Sequence, residues 1–179
     1  MYGALQCYAP TMPRTSPSAG RCWLLKTEPE TYSIEDLARD GTTRWDGVRN
    51  YQARNFMRDE MQVGDRVLVY HSNAEPPGVA GVARVSAPAA ADATELDPKS
   101  PYHDPKATKA DPIWLAVEIE FVAKFPRLVS LDEIRKERSL AAMPLLQRGQ
   151  RLSVQPVAPE AFERIAAMAT VGRIRKATR

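Results

Sequence analysis

Across residues 113–125, apolar and polar side chains alternate: Ile113, Leu115, Val117, Ile119 and Phe121 point one way, Trp114, Ala116, Glu118 and Glu120 the other. A period of two belongs to extended chain, so this run predicts a long strand with one buried face. Such a strand needs partners, which narrows the fold to one built on a sheet. The run Trp23-Leu24-Leu25-Lys26-Thr27, with the fold beginning at Cys22, is a short strand stopped by Glu28-Pro29, since proline lacks an N–H and restricts the residue before it. Arg66–His71 and residues 79–85, rich in small and β-branched residues, are expected to pair as a hairpin around Pro76-Pro77-Gly78. Residues 152–157 supply a last short strand.

Helix signals fall between these runs. Ser33 with Asp36 fits a capping box that opens a helix ending at Gly41, and Ser130 with Glu133 fits a second. Asp46 is the expected N-cap of a helix reaching about Met57, and Pro159 starts one running to about Met168. Residues 86–112 read as a long polar connection bordering the ligand site. Five or six strands separated by short helices favour an α+β fold, a small mixed sheet curled into a partial barrel, over a doubly wound parallel sheet.

Composition excludes several function classes. The 179 residues suit one domain, and no apolar run approaches the roughly 20 residues of a membrane span. Residues 1–21, dominated by Pro, Ser, Thr and Gly and without the apolar core of a secretory signal, read as a disordered head, and the chain as cytoplasmic and monomeric. Two cysteines and two histidines, Cys7, Cys22, His71 and His103, give neither a disulfide framework nor a zinc site, so no metal and no cofactor is expected. Residues 22–163 hold all 22 acidic side chains against 18 basic ones, while residues 164–179 carry five basic side chains and no acid. That basic end, including a tail at 169–179, could follow a phosphate backbone or simply remain solvated.

The segment Trp45-Asp46-Gly47-Val48-Arg49-Asn50-Tyr51-Gln52-Ala53-Arg54-Asn55 has the parts needed to hold a nucleobase: an aromatic plane, planar amide and guanidinium groups, and a helix start. Together with Lys26-Thr27-Glu28-Pro29, Tyr70-His71-Ser72-Asn73, Pro76-Pro77-Gly78, Tyr102-His103-Asp104-Pro105-Lys106 and Leu152-Ser153-Val154-Gln155-Pro156-Val157, it closely resembles the EVE domain over residues 22–168. His103 departs from the pattern, which has a second tyrosine there.

The resemblance implies a PUA-like mixed β-barrel of five to six strands with short peripheral helices, akin to the YTH readers. It also implies a non-catalytic binder of a modified base, modified cytosine in particular, in DNA or RNA, with no membrane or metal partner. By resemblance, Trp45 stacks on an extruded base, with Val48 beside it, whereas Trp23 reads as core and Trp114 stays open between the two. Asn50 and Gln155 are candidates for the base edge, although an asparagine at a helix start also serves as a cap. Tyr70, His71 and Ser72 should stand on the barrel rim, His71 either contributing a neutral ring or bonding a neighbouring loop. Lys26 and Glu28 either meet the ligand or brace each other as an ion pair, and Arg49 and Arg54 are candidates for phosphate contacts. Two alternatives stand beside this reading. One is a nucleotide- or base-processing enzyme using His71 with Glu28 or Asp46; the other is a protein-interaction module built on the Pro-rich residues 97–112.

Overall fold

The computed structural model describes residues 20–171. Six strands form one mixed sheet in the order β2-β5-β4-β3-β1-β6. They are β1 Cys22–Thr27, β2 Thr42–Trp45, β3 Arg66–His71, β4 Gly78–Ala91, β5 Leu115–Ser130 and β6 Val154–Val157. Only β1 and β3 run parallel; the other four pairings are antiparallel. The sheet does not close by hydrogen bonds, since β2 and β6 stand at opposite edges. It curls instead, for Trp45 of β2 and Val154 of β6 belong to the same buried cluster. The expectations for the head at 1–21 and the tail at 169–179 lie outside the described residues, apart from Gly20, Arg21 and the end of the last helix.

Alternation along the strands builds two cores, one on each side of the sheet. In β1, Trp23 and Leu25 join Val67, Val69, Val117 and Ile119 on the concave side, while Cys22 and Leu24 join Leu68, Tyr70 and Val79 on the other. The Trp23 indole N–H, buried in that core, donates to Asp65 Oδ2 at 2.8 Å, which satisfies the one polar atom the ring carries inward. The second core is roofed by α3 Leu131–Lys136 and α4 Pro159–Val171, through Ile134, Phe162 and Ile165. The helix α1 Ile34–Asp40 covers the concave side with Ile34 and Leu37. Both capping boxes form as the sequence indicates, Ser33 with Asp36 and Ser130 with Glu133.

Four boundaries differ from the sequence reading. The second helix, α2 Tyr51–Asn55, begins four residues later than an Asp46 cap would give, because the chain must first turn through Gly47 at φ 71°. Asn50 is its N-cap, Oδ1 accepting from Gln52 N and Ala53 N, and the helix continues as a wider turn over Phe56–Glu60. The four-residue β2 has no periodicity of its own and exists through pairing with β5, Trp45 opposite Val117. β4 runs on to Ala91, shortening the expected loop, because the 16-residue β5 offers partners for Ala87, Ala90 and Ala91 across several bulges. Finally, β5 extends to Ser130, with Pro126 falling in the irregular stretch between the Gly81–Lys124 and Val79–Val129 pairs, where no ladder N–H is demanded of it.

Candidate functional site

Where β1, β2 and the approach to β6 end, the curled sheet leaves a cleft of about 750 Å³. Its walls come from five separate segments. Lys26, Thr27, Glu28, Thr31 and Tyr32 follow β1 into α1; Thr43 to Val48 carry β2 into its turn. Ser72 and Asn73 follow β3, Tyr102 comes from the long connection, and Arg151 and Ser153 precede β6. Backbone bonds fix these segments to one another: Lys26 N donates to Ser153 O at 2.8 Å, and Ser72 N to Thr27 O at 2.8 Å. Ser72 Oγ also donates to Thr27 O, Thr27 Oγ1 to Tyr32 O, and Asn73 Nδ2 to Glu28 Oε1. The cleft is thus held by the sheet rather than by a free loop, the condition for a preorganised site.

Its polar groups have mixed sign. Lys26, Arg44 and Arg151 bring three cations and Glu28 and Asp46 two carboxyls. Burial pushes the Lys26 ammonium below the usual lysine range. The Asp46 carboxyl is pushed up, by desolvation first and then by the neighbouring Asp92 carboxylate. Asp92 moves the other way: burial raises it, but bonds from Thr94, Arg49 and Gly47 N outweigh that and hold it below the ordinary value.

Of the residues singled out in the sequence, Trp45, Val48, Lys26, Glu28 and Ser72 line the cleft. Trp45 keeps only 7% of its surface exposed, so the cleft meets a strip of the indole where the sequence suggests an open face. Lys26 and Glu28 do not brace each other; Glu28 is held by Asn73. Six others fall outside the lining. Asn50 is occupied capping α2, and Tyr70 alternates onto the helix-covered face. His71, buried, has its Nε2 accepting from Ile34 N at 3.1 Å, and burial holds it below the usual histidine range, so the ring is neutral and satisfied. Gln155 is buried with Nε2 donating to Leu152 O. Arg49 is bound to Asp92, Thr94 and Tyr102 O, while Arg54 donates to Ile113 O and Asn55 and stands over the Tyr51 ring. Trp114, open in the sequence, is buried against Tyr51 with its N–H on Asp104.

Tyr32, Arg44 and Arg151 line the cleft without having been singled out, because they are brought in by contacts far apart in sequence. Tyr102, which also lines it, had two signals, the Tyr102-His103-Asp104-Pro105-Lys106 motif and its place in a connection expected to border the ligand. His103, beside it, fastens the connection, with Nδ1 lying 2.8 Å from Glu95 O. Among the described residues, no group of three or more His, Cys, Asp and Glu converges to hold a metal, and no helix is long and apolar enough to cross a membrane.

An α+β domain whose mixed sheet curls toward a barrel and holds a polar cleft at its end defines the PUA-like class. Residues 21–168 match the EVE domain model, and the chain belongs to the EVE domain family. It is 40% identical over 160 residues to chicken (Gallus gallus) thymocyte nuclear protein 1, a match covering 79% of this chain and 65% of that longer protein. Among solved structures it resembles a Pseudomonas putida protein at 51% identity and TM-score 0.80, over 83% of this chain and 99% of the other. It also resembles human THYN1 protein in complex with 5-methylcytosine-containing DNA, at 36% identity and TM-score 0.75, over 84% and 98% of the two chains.

Proposed function

We propose that this protein is a non-catalytic reader of DNA, receiving in its cleft a cytosine that carries a methyl or hydroxymethyl group and has been turned out of its strand. The observation that carries the reading is the DNA-bound human relative of the same fold, taken with a cleft of a size and polarity that suit one nucleotide. The base lies against Trp45, with Tyr32 and Tyr102 as further aromatic walls. The cleft cations Lys26, Arg44 and Arg151 meet the backbone, a role better suited to them than to Arg49 and Arg54, whose guanidinium groups are already engaged.

The absence of turnover is supported by the position of His71, outside the cleft with Nε2 already accepting a backbone N–H, so that neither Glu28 nor Asp46 has an imidazole to work with. A protein-docking role for residues 97–112 is disfavoured because that segment is tied down: Asp104 N donates to Glu95 O, and Trp114 Nε1 to Asp104.

Burying one methyl group contributes about 1 kcal/mol, so 5-methylcytosine should bind up to about tenfold more tightly than cytosine. Fluorescence titration with single-stranded oligonucleotides that differ only in that methyl measures this directly. Trp45→Phe, which keeps the wall filled, should weaken binding severalfold while Arg44→Ala reduces its salt dependence. Equal affinities for the two oligonucleotides, with neither variant differing from the parent, would remove the case for a base in this cleft.

A further inference from the structure

We infer that Asp46 is the residue that sets base identity in the cleft, selecting a base with an exocyclic amine and rejecting the otherwise isosteric thymine. The inference rests on the base-binding reading above and goes beyond it by naming the group that tells 5-methylcytosine from its deaminated counterpart.

The first observation is that Asp46 stands out among the carboxylates of this region. Asp92 is taken by Arg49, Thr94 and Gly47 N; Glu95 by the N–H groups of Ile113 and Trp114; Asp104 by Trp114 and Lys106; Glu28 by Asn73. Asp46, an exposed residue, lines the cleft, and its carboxyl, among the described residues, accepts no hydrogen bond from another residue and forms no ion pair. It directly follows Trp45, so the aromatic wall and the carboxyl share one turn of chain.

The second observation is that this turn is fixed on both sides. Asp46 N donates to Arg44 O at 3.0 Å, and the next N–H, Gly47, donates to the buried Asp92 carboxylate at 3.0 Å. Gly47, at φ 71°, lies so close under the Tyr102 ring that a Cβ there would stand 2.8 Å from it. The carboxyl is therefore presented to the cleft by backbone that does not have to reorganise when a ligand arrives.

An ionised carboxylate is acceptor-only and needs a donor from the ligand. Cytosine offers its N4 amine, the group carboxylates accept from when they read that base. Thymine places the O4 lone pairs at the same spot, and its single N3–H is flanked by two oxygens, so the same carboxylate meets repulsion.

Single-stranded oligonucleotides of the full chain's ligand class make the test, since base pairing then does not enter. They carry one central 5-methylcytosine, thymine, or 5-methylpyrimidin-2-one, the last lacking only the amine. The parent protein should prefer 5-methylcytosine over each of the other two by at least about tenfold. In Asp46→Asn the carboxamide can turn its NH₂ toward O4, and the preference over thymine should fall to within about threefold, through tighter binding of thymine. A parent that binds all three alike, or an Asp46→Asn variant that folds and keeps the parental ratios, overturns the assignment while leaving the cleft as the base site. A parent that binds none of them saturably overturns the cleft reading itself. The 5-methylpyrimidin-2-one arm needs no substitution, so the assignment stays open to refutation even where Asp46→Asn proves unstable.

Discussion

The Arg49 guanidinium lies 2.7 Å from the carboxylate of Asp92, whose side chain is completely buried. Arg49 also donates to Tyr102 O at 2.8 Å and to Thr94 Oγ1 at 3.0 Å, and stands over the rings of Tyr102 and Trp114. One side chain thus ties the turn after β2 to the end of β4 and to the long connection. Removing it leaves a buried carboxylate without its cation, held only by the Thr94 and Gly47 bonds, a change that costs about 3 kcal/mol. Arg49→Ala should therefore lower unfolding free energy by about that amount in denaturant titration. If Arg49 touched phosphate, its loss would also flatten the salt dependence of DNA binding by about one charge; the expected result is an unchanged slope.

Gly47 and Tyr102 make a second such pair. Alanine at position 47 meets two independent penalties, the positive φ and the tyrosine ring. Gly47→Ala should destabilise the fold by about 1–2 kcal/mol and weaken oligonucleotide binding as Tyr102 is pushed off the cleft wall. Tyr102→Ala removes the collision but not the backbone strain. In a double-mutant cycle the two changes should cost less together than the sum of each alone, and strict additivity would show that the ring does not rest on this glycine.

Asn50 separates a cap from a base reader. Its Oδ1 accepts two N–H groups of the first turn of α2, at 2.9 and 3.1 Å, and the residue does not line the cleft. Asn50→Ala should cost about 1 kcal/mol of stability, and Asn50→Asp should be nearly neutral, with DNA affinity unaltered in both. A large loss of affinity in Asn50→Asp, with stability retained, would return the amide to the binding surface.

These residues also mark what the chain discloses of itself. Features whose physics is local were legible: the Ser33 and Ser130 capping boxes need only four residues, and the alternation through Val117 and Ile119 needs only its own period. The motif beginning at Trp45 runs along the cleft wall as far as Val48, and Lys26, Glu28 and Ser72 line the cleft with it. What could not be read is pairing and enclosure. β2 is a strand only because β5 lies beside it, and β4 extends through alanines for the same reason. Arg44, Arg151 and Tyr102 reach one cavity from segments over 40 residues apart in the chain, which no spacing rule connects. His71 ends β3 as its run indicates, but the helix that covers it comes from another part of the chain.

That covering gives His71 a pH signature. Its Nε2 accepts the Ile34 N–H at the start of α1, and a protonated ring could not accept there. Burial is the main cause of its lowered pKa; Glu35 opposes it and Lys124 adds to it, and these two groups pair with each other across the same face. The folded state therefore binds the proton at lower pH than the unfolded chain, whose histidine titrates near the ordinary 6.5. Between those values the unfolded chain carries more protons, so stability rises with pH. The contribution is complete above the unfolded value and is lost as pH falls toward the folded one. Urea titrations from pH 5 to 7.5 should show the parent losing stability on the acid side. His71→Asn, whose amide oxygen can still accept but does not titrate, should have a slope shallower by up to one proton. Identical slopes would mean that the ring is free to protonate in the folded state and that the bond to α1 is not what holds it neutral.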